Sequence, residues 1–161
     1  MAAIRFLSGE SSSDVYQLSN RWPRCLVLLA ALCGPGSVAA AERTFIAIMN
    51  AGQVVPPSAS QALGLGYLTY DTALKRLCYS ITYSKLDGPE TEAHLHGGKP
   101  GTTDAVFFDL DLGSPKKSCL GPFSAKQERA LYHGETYLNI HTQAWVAGEL
   151  RGQVLPMRLG K

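Results

Sequence analysis

The chain has 161 residues, 45% hydrophobic and 17% charged, with a formal net charge of +2. That size and balance suit one ordinary domain with its own core and leave no room for two. Near neutrality, without any Lys/Arg cluster interleaved with aromatics, excludes the electrostatic footprint of a nucleic-acid binder.

The amino-terminal stretch reads apart from the rest. Arg21 and Arg24 precede the apolar run "CLVLLAALC", Cys25 to Cys33, which is too short to span a bilayer as a helix. Small residues follow, and Ala39 and Ala41 satisfy the A-x-A pattern of a signal peptidase site. Residues 1–41 are therefore expected to be a signal peptide cleaved after Ala41. Retention as an uncleaved anchor is the alternative, because the region ahead of the apolar run is long for a signal peptide. Lipid attachment at Cys33 is disfavoured by Leu32, which stands where such sites want a small residue. The expected mature domain, residues 42–161, is secreted or periplasmic and carries no membrane span.

Two cysteines remain in that domain, Cys78 and Cys119. In an oxidising compartment they most simply form one disulfide, two buried free thiols being the alternative.

Short apolar segments bounded by Gly, Pro, Asn or Asp then follow in order: "RTFIAIMN", "ALGLGYLTYD", "RLCYSITYSKL", "EAHLHG", "AVFFDLDL", "ETYLNIHT" and "GELRGQVLP". Each reads as a strand. "QVVPP" adds an edge piece, since Pro56 and Pro57 cannot donate to a ladder. One short helix is predicted in "FSAKQERALYHG", with Ser124 and Gln127 as a capping box and Gly134 as its end. Seven or eight strands in this length predict an all-β fold, a Greek-key β-sandwich or barrel of immunoglobulin-like or superoxide-dismutase-like type, with one short helix.

Side chains alternate across a strand, so parity assigns faces. Leu77, Tyr79, Ile81 and Tyr83 share an apolar face. Ala93 and Leu95 point inward, which puts Glu92, His94 and His96 on the other side. Leu138 and Ile140 point inward, and Tyr137, Asn139 and His141 outward. Leu150 and Val154 point inward, and Glu149, Arg151 and Gln153 outward. In "AVFFDLDL", Val106, Phe108, Leu110 and Leu112 form the inner face and Asp109 and Asp111 the outer one. Three strands thus carry chemically capable residues away from the core. If they are neighbours, spaced about 4.8 Å apart, His94, His96 and His141 can meet in one coordination sphere.

The segments "FIAIMNAGQVVPP", "AHLHGGKPG", "YLNIHT" and "GELRGQV" stand in the order and at the spacing of the CHRD domain, the repeat named from chordin, and over residues 44–155 the chain resembles that family. The resemblance implies an exported β-sandwich module with no established enzymatic activity. Its H-x-H-G motif falls on His94, His96 and Gly97. Its N-x-H-T motif falls on Asn139, His141 and Thr142, and its G-E-I-R-G-Q motif on Gly148 to Gln153. Where the family has an Asn-Pro-Gly-Gly type of turn, this chain has "TQAWVAG", whose Trp145 and Val146 offer an apolar tip to a partner. The His-x-His strand is also similar to that of copper-zinc superoxide dismutase. The full histidine count and the bridging arrangement of that enzyme are lacking, so dismutase activity is not expected.

Two readings of the histidines stand side by side. In one, His94, His96 and His141 bind copper or zinc, with Glu149 as a fourth ligand or outer partner and Asn139 or Thr142 orienting an imidazole. In the other, His94 and His141 hydrogen-bond across the sheet to Glu149 and backbone carbonyls, and this polar network, with Asn139, Thr142 and Arg151, locks the loops without metal. Glu149 and Arg151, two residues apart, are expected to form an ordinary ion pair, and anion recognition by Arg151 is the lesser reading. His133 reads as a solvated helix-end residue. Gly97, Gly98, Pro100 and Gly101 lead into a strand, so they form a turn and not a phosphate loop. Asp104, Asp109 and Asp111 lack calcium-loop spacing. No serine or free cysteine is placed as a nucleophile, which leaves metal-assisted chemistry as the one enzymatic route. The expected function is a binding or structural module whose partner is an extracellular protein or small ligand, with copper or zinc binding as the alternative.

Overall fold

A computed structural model describes residues 42–157; the export segment expected over residues 1–41 lies outside them. In chain order the strands are β1 (Glu42–Asn50), β2 (Leu63–Asp71), β3 (Arg76–Ser84), β4 (Glu90–Gly97), β5 (Val106–Asp109), β6 (Lys116–Leu120), β7 (Thr136–Thr142), β8 (Leu150–Gln153) and β9 (Leu155–Pro156). One α-helix among the described residues, α1 (Ala125–Tyr132), precedes β7. The sheet runs β5-β4-β7-β8-β1-β2-β3-β6, with β9 paired to β1. All these pairs are antiparallel. The sheet curls into a nearly closed barrel, the all-β sandwich or barrel expected from the segment pattern.

Alternation builds the interior. Phe45, Ala47 and Met49 of β1, Leu68 and Tyr70 of β2, and Leu77, Tyr79 and Ile81 of β3 face Ala93 and Leu95 of β4 and Leu138, Ile140 and Leu150 of β7 and β8, all buried. Burying each large aliphatic side chain stabilises the fold by about 1.5–3 kcal/mol. At Gly66 the barrel depends on the missing side chain, because a Cβ there would lie 2.7 Å from Leu138. The site-bearing strand β7 therefore packs directly against the backbone of β2.

The two outer edges of the sheet are joined through side chains. Lys116 of β6 makes a buried ion pair with Glu90 of β4, their side chains 1% and 5% exposed. Tyr83 donates to the same carboxylate at 2.6 Å, and Tyr79 donates to Asp111 at 3.1 Å. Burial lowers the Lys116 pKa from its usual value, opposed by its hydrogen bond to Glu90. Such a pair resists the loss of either partner, since the survivor would be a buried, uncompensated charge.

Two segments depart from expectation. "QVVPP" is not a strand: Ala51–Gln53 forms a short 3-10 turn, capped by the Asn50 side chain accepting from the Gln53 amide, and Val54 turns into the core. "KKSCL" is a strand, masked in the sequence by its lysines and flanking prolines. The segment "AVFFDLDL" pairs only over Val106–Asp109; Leu110 is buried, but Val106 and Leu112 are exposed. The helix is as expected, with the Ser124/Gln127 capping box formed and Gly134 at φ +68° closing its end.

Cys78 and Cys119 form a disulfide between directly opposed positions of β3 and β6. It ties positions 41 residues apart, which by the chain-entropy model stabilises the fold by about 4 kcal/mol. Reduction is expected to add the mass of two hydrogens and to lower the unfolding free energy in urea by about that amount. An unchanged urea midpoint after complete reduction would contradict this.

Candidate metal centre

The centre grows from β4 and β7. Their register sets His94 opposite Asn139, His96 opposite Tyr137 and Glu92 opposite His141. His94 and His141 are thus diagonal neighbours on the face turned away from the core, within reach of one another. The three histidines each bring a ring nitrogen to within 4.8 Å of the others. His94 Nδ1 lies 3.2 Å from His141 Nε2, close to the ~3.3 Å that separates two nitrogens on a tetrahedral ion with bonds of about 2.0–2.1 Å.

Two loop carbonyls fix the protonation of the rings. His96 Nδ1 donates to the Asp104 carbonyl at 2.9 Å, and His141 Nδ1 donates to the Val146 carbonyl at 2.8 Å. A carbonyl only accepts, so each ring carries its proton on Nδ1 and, when neutral, has a lone pair on Nε2. His96 Nε2 is buried with no hydrogen-bond partner among the described residues. His141 Nε2 faces His94 Nδ1 and Asn139 Nδ2, the latter at 3.1 Å. On the far side of His94, Nε2 lies 3.6 Å from Asp109 and 3.9 Å from Glu92 carboxylate oxygens. Both distances exceed that of a hydrogen bond, so these exposed carboxylates are neighbours of the ring and not its bonded partners.

Burial lowers the pKa of both His96 and His141 below the usual 6.5. Their carbonyl hydrogen bonds oppose the shift, and the neighbouring histidines add to it. His96 also stacks on Tyr137, ring centroids 4.7 Å apart and nearly parallel, while the Arg151 guanidinium lies 3.5 Å from the same ring's centroid.

The covering loops are held down from β8. Arg151 donates to the carbonyls of Thr102 at 2.7 Å and Lys99 at 3.1 Å, and Gln153 donates to those of Gly98 and Gly134 at 2.8 and 2.7 Å. Consequently every residue of β7 and β8 is buried. The parity of Asn139, His141, Arg151 and Gln153 is as expected, but their face is enclosed by loops.

Glu149 is elsewhere. Its carboxylate accepts from Ser60, from the Asp87 amide at 2.7 Å and from Thr142 at 2.7 Å. Thr142 has the parity of Leu138 and Ile140, so Glu149 lies on their side of the sheet and joins neither the histidines nor Arg151. The expected Glu149–Arg151 ion pair is absent among the described residues, because Glu149 stands at a bend before β8 begins at Leu150, where strand alternation does not hold. Thr142 consequently orients Glu149 and no imidazole, whereas Asn139 does contact His141. The "TQAWVAG" turn is not wholly a free apolar tip: Val146 is 80% exposed, Trp145 is half-buried, and the Val146 backbone reaches His141. His133 caps α1 and is exposed, as expected. Sequence reasoning missed Tyr137 as a stacking platform, although its parity with Asn139 and His141 was a usable signal. The metal-free reading anticipated a backbone carbonyl on His141 but not the one on His96, and residue type offered no signal for which carbonyls these are.

The fold and site define an antiparallel barrel with a loop-covered, histidine-lined outer face. A family model described as the CHRD domain matches residues 45–154, and the chain belongs to that family. Membership supports a binding or structural module. No solved structure matches the chain. No helix among the described residues is long and apolar enough to cross a membrane.

Two predictions follow from this geometry. Because His96 and His141 bind protons less readily folded than unfolded, protonation favours the unfolded chain. Stability of chelator-treated protein should therefore be level above the usual histidine value of 6.5 and fall as pH drops through it toward the lowered folded values. Urea midpoints for wild type and His96→Gln check this; equal acid sensitivity in both would contradict a share for His96. Second, a Cβ at Gly148 would lie 2.5 Å from Asn139 Oδ1. Gly148→Ala should cost about 2–4 kcal/mol in thermal or urea unfolding, and an unaltered melt would refute the close approach.

Proposed function

We propose that the chain is an exported CHRD-domain module whose His94, His96 and His141 bind a single copper or zinc ion. The observation that carries this reading is the convergence of three imidazoles on one centre, with His96 and His141 held as Nδ1–H tautomers. His141 Nε2 accepts from Asn139 Nδ2, whereas His96 Nε2 is left buried without a partner among the described residues. An ion bound between the rings would supply the partner that His96 Nε2 lacks. Three neutral nitrogens suit zinc or copper and leave a coordination position for water or a group from a partner. Glu92 and Asp109 flank His94 from outside, and Tyr137 supports His96.

Export over residues 1–41 belongs to the same reading. Its support is the apolar run from Cys25 to Cys33, the A-x-A pattern ending at Ala41, and a structural disulfide of the kind that persists in oxidising compartments. Function then consists of metal-dependent binding outside the cytoplasm, without a nucleophile or an established reaction.

Purified protein loaded with copper(II) or zinc(II) and dialysed should retain about one ion per chain by elemental analysis. The His94→Ala/His96→Ala variant should retain close to none while keeping its far-ultraviolet circular dichroism. Equal, near-zero metal in both proteins would eliminate the metal reading and leave the histidines as a loop-locking network.

A further inference from the structure

Arg151 is a buried cation without a buried anion. The residue is 2% exposed, and no carboxylate pairs with it among the described residues. Its guanidinium donates to two backbone carbonyls and lies over Tyr137. A guanidinium has five N–H donors, so most of its capacity is unspent. Burial pulls its pKa below the usual value, as expected of a desolvated charge whose neighbours are dipoles and a ring. Buried charges are ordinarily paired, because carbonyls only partly replace the lost hydration.

The residue lines a cleft of about 440 Å³ together with Val55, Pro57, Pro100 and two glutamines, Gln53 and Gln153, whose amides are spent on backbone carbonyls. That volume falls in the range of small-ligand sites, and apolar walls around a few polar groups are their usual composition. We infer that this cleft binds a small organic monocarboxylate bearing a short apolar group, its carboxylate on the Arg151 guanidinium and its apolar part against Val55, Pro57 and Pro100. The charge balance selects this chemistry. One guanidinium matches one negative charge, and no second cation lines the cleft. The nearby Lys99 ammonium instead pairs with Glu135 at 3.6 Å. A doubly charged phosphate would therefore be under-neutralised and would face apolar walls. The bidentate fork of arginine fits a carboxylate directly.

None of the three histidines lines this cleft, so it is tested on the full chain after chelator treatment. Hexanoate, hexan-1-ol and inorganic phosphate are titrated and followed by amide chemical shifts around Gly101 and Arg151. Hexanoate should saturate and bind roughly tenfold or more tightly than either comparator. Arg151→Gln removes the cation, but it also frees the carbonyls of Thr102 and Lys99 and can unfold the loops. Val55→Asp keeps those bonds and places a competing carboxylate at the half-buried wall; it should weaken hexanoate by roughly tenfold or more without changing the fold. The inference is overturned if hexanoate and hexan-1-ol bind equally, if phosphate binds more tightly, if Val55→Asp binds hexanoate like wild type, or if hexanoate gives no saturable shift up to about 10 mM.

Discussion

Two hydrogen bonds, from imidazole Nδ1 of His96 and of His141 to the loop carbonyls of Asp104 and Val146, govern what this face of the barrel can do. A backbone carbonyl accepts only a proton-bearing nitrogen, so the contact fixes the tautomer as well as the ring orientation. With both rings fixed, the unprotonated nitrogens have one direction left. Strand register does the rest, because diagonal positions on β4 and β7 carry His94 and His141 to hydrogen-bonding distance. The chemistry of the centre is therefore set jointly by side chains on rigid strands and by the backbone of loops, and neither suffices alone.

Those loops need restraint of their own. Arg151 and Gln153 supply it from β8 by binding four carbonyls, which turns the outer side of β7 and β8 into a second buried layer. On the inner side, Leu138 against Gly66 holds β7 close to β2, and the Lys116–Glu90 pair joins the sheet edges beside β4. The strands that present the histidines are consequently the best-supported part of the barrel. A site made on such strands is held more tightly than one made on loops, and the loops here contribute only carbonyls. Arg151 both pins the loop through two carbonyls and lines the neighbouring cleft.

Much of this was legible in the residues. Period-two alternation located most strands and assigned His94, His96, Asn139, His141 and Arg151 to the correct face, because the pleat leaves little freedom once one side is a core. The capping box at Ser124 and Gln127 fixed the helix for the same local reason. What escaped depends on backbone. β6 carries lysines whose stems pack inward or lie along the surface, so its hydrophobicity is low, and "QVVPP" turns because Asn50 caps a 3-10 segment. Counting back from Arg151 puts Glu149 on the same face, but the count fails because Glu149 lies at a bend ahead of β8, which begins at Leu150. The carbonyls of Asp104 and Val146 have no signature in residue type. The polar partners of the histidines were therefore only partly readable, while the histidines themselves were plain.

The most direct test of the account is the protonation pattern of the rings in metal-free protein near neutral pH, read by long-range proton–nitrogen correlation NMR. Residues 96 and 141 should each show a protonated Nδ1 and a bare Nε2. If either ring carries its proton on Nε2, its carbonyl bond is not made in solution, its lone pair turns away from the other two rings, and the proposed centre is lost.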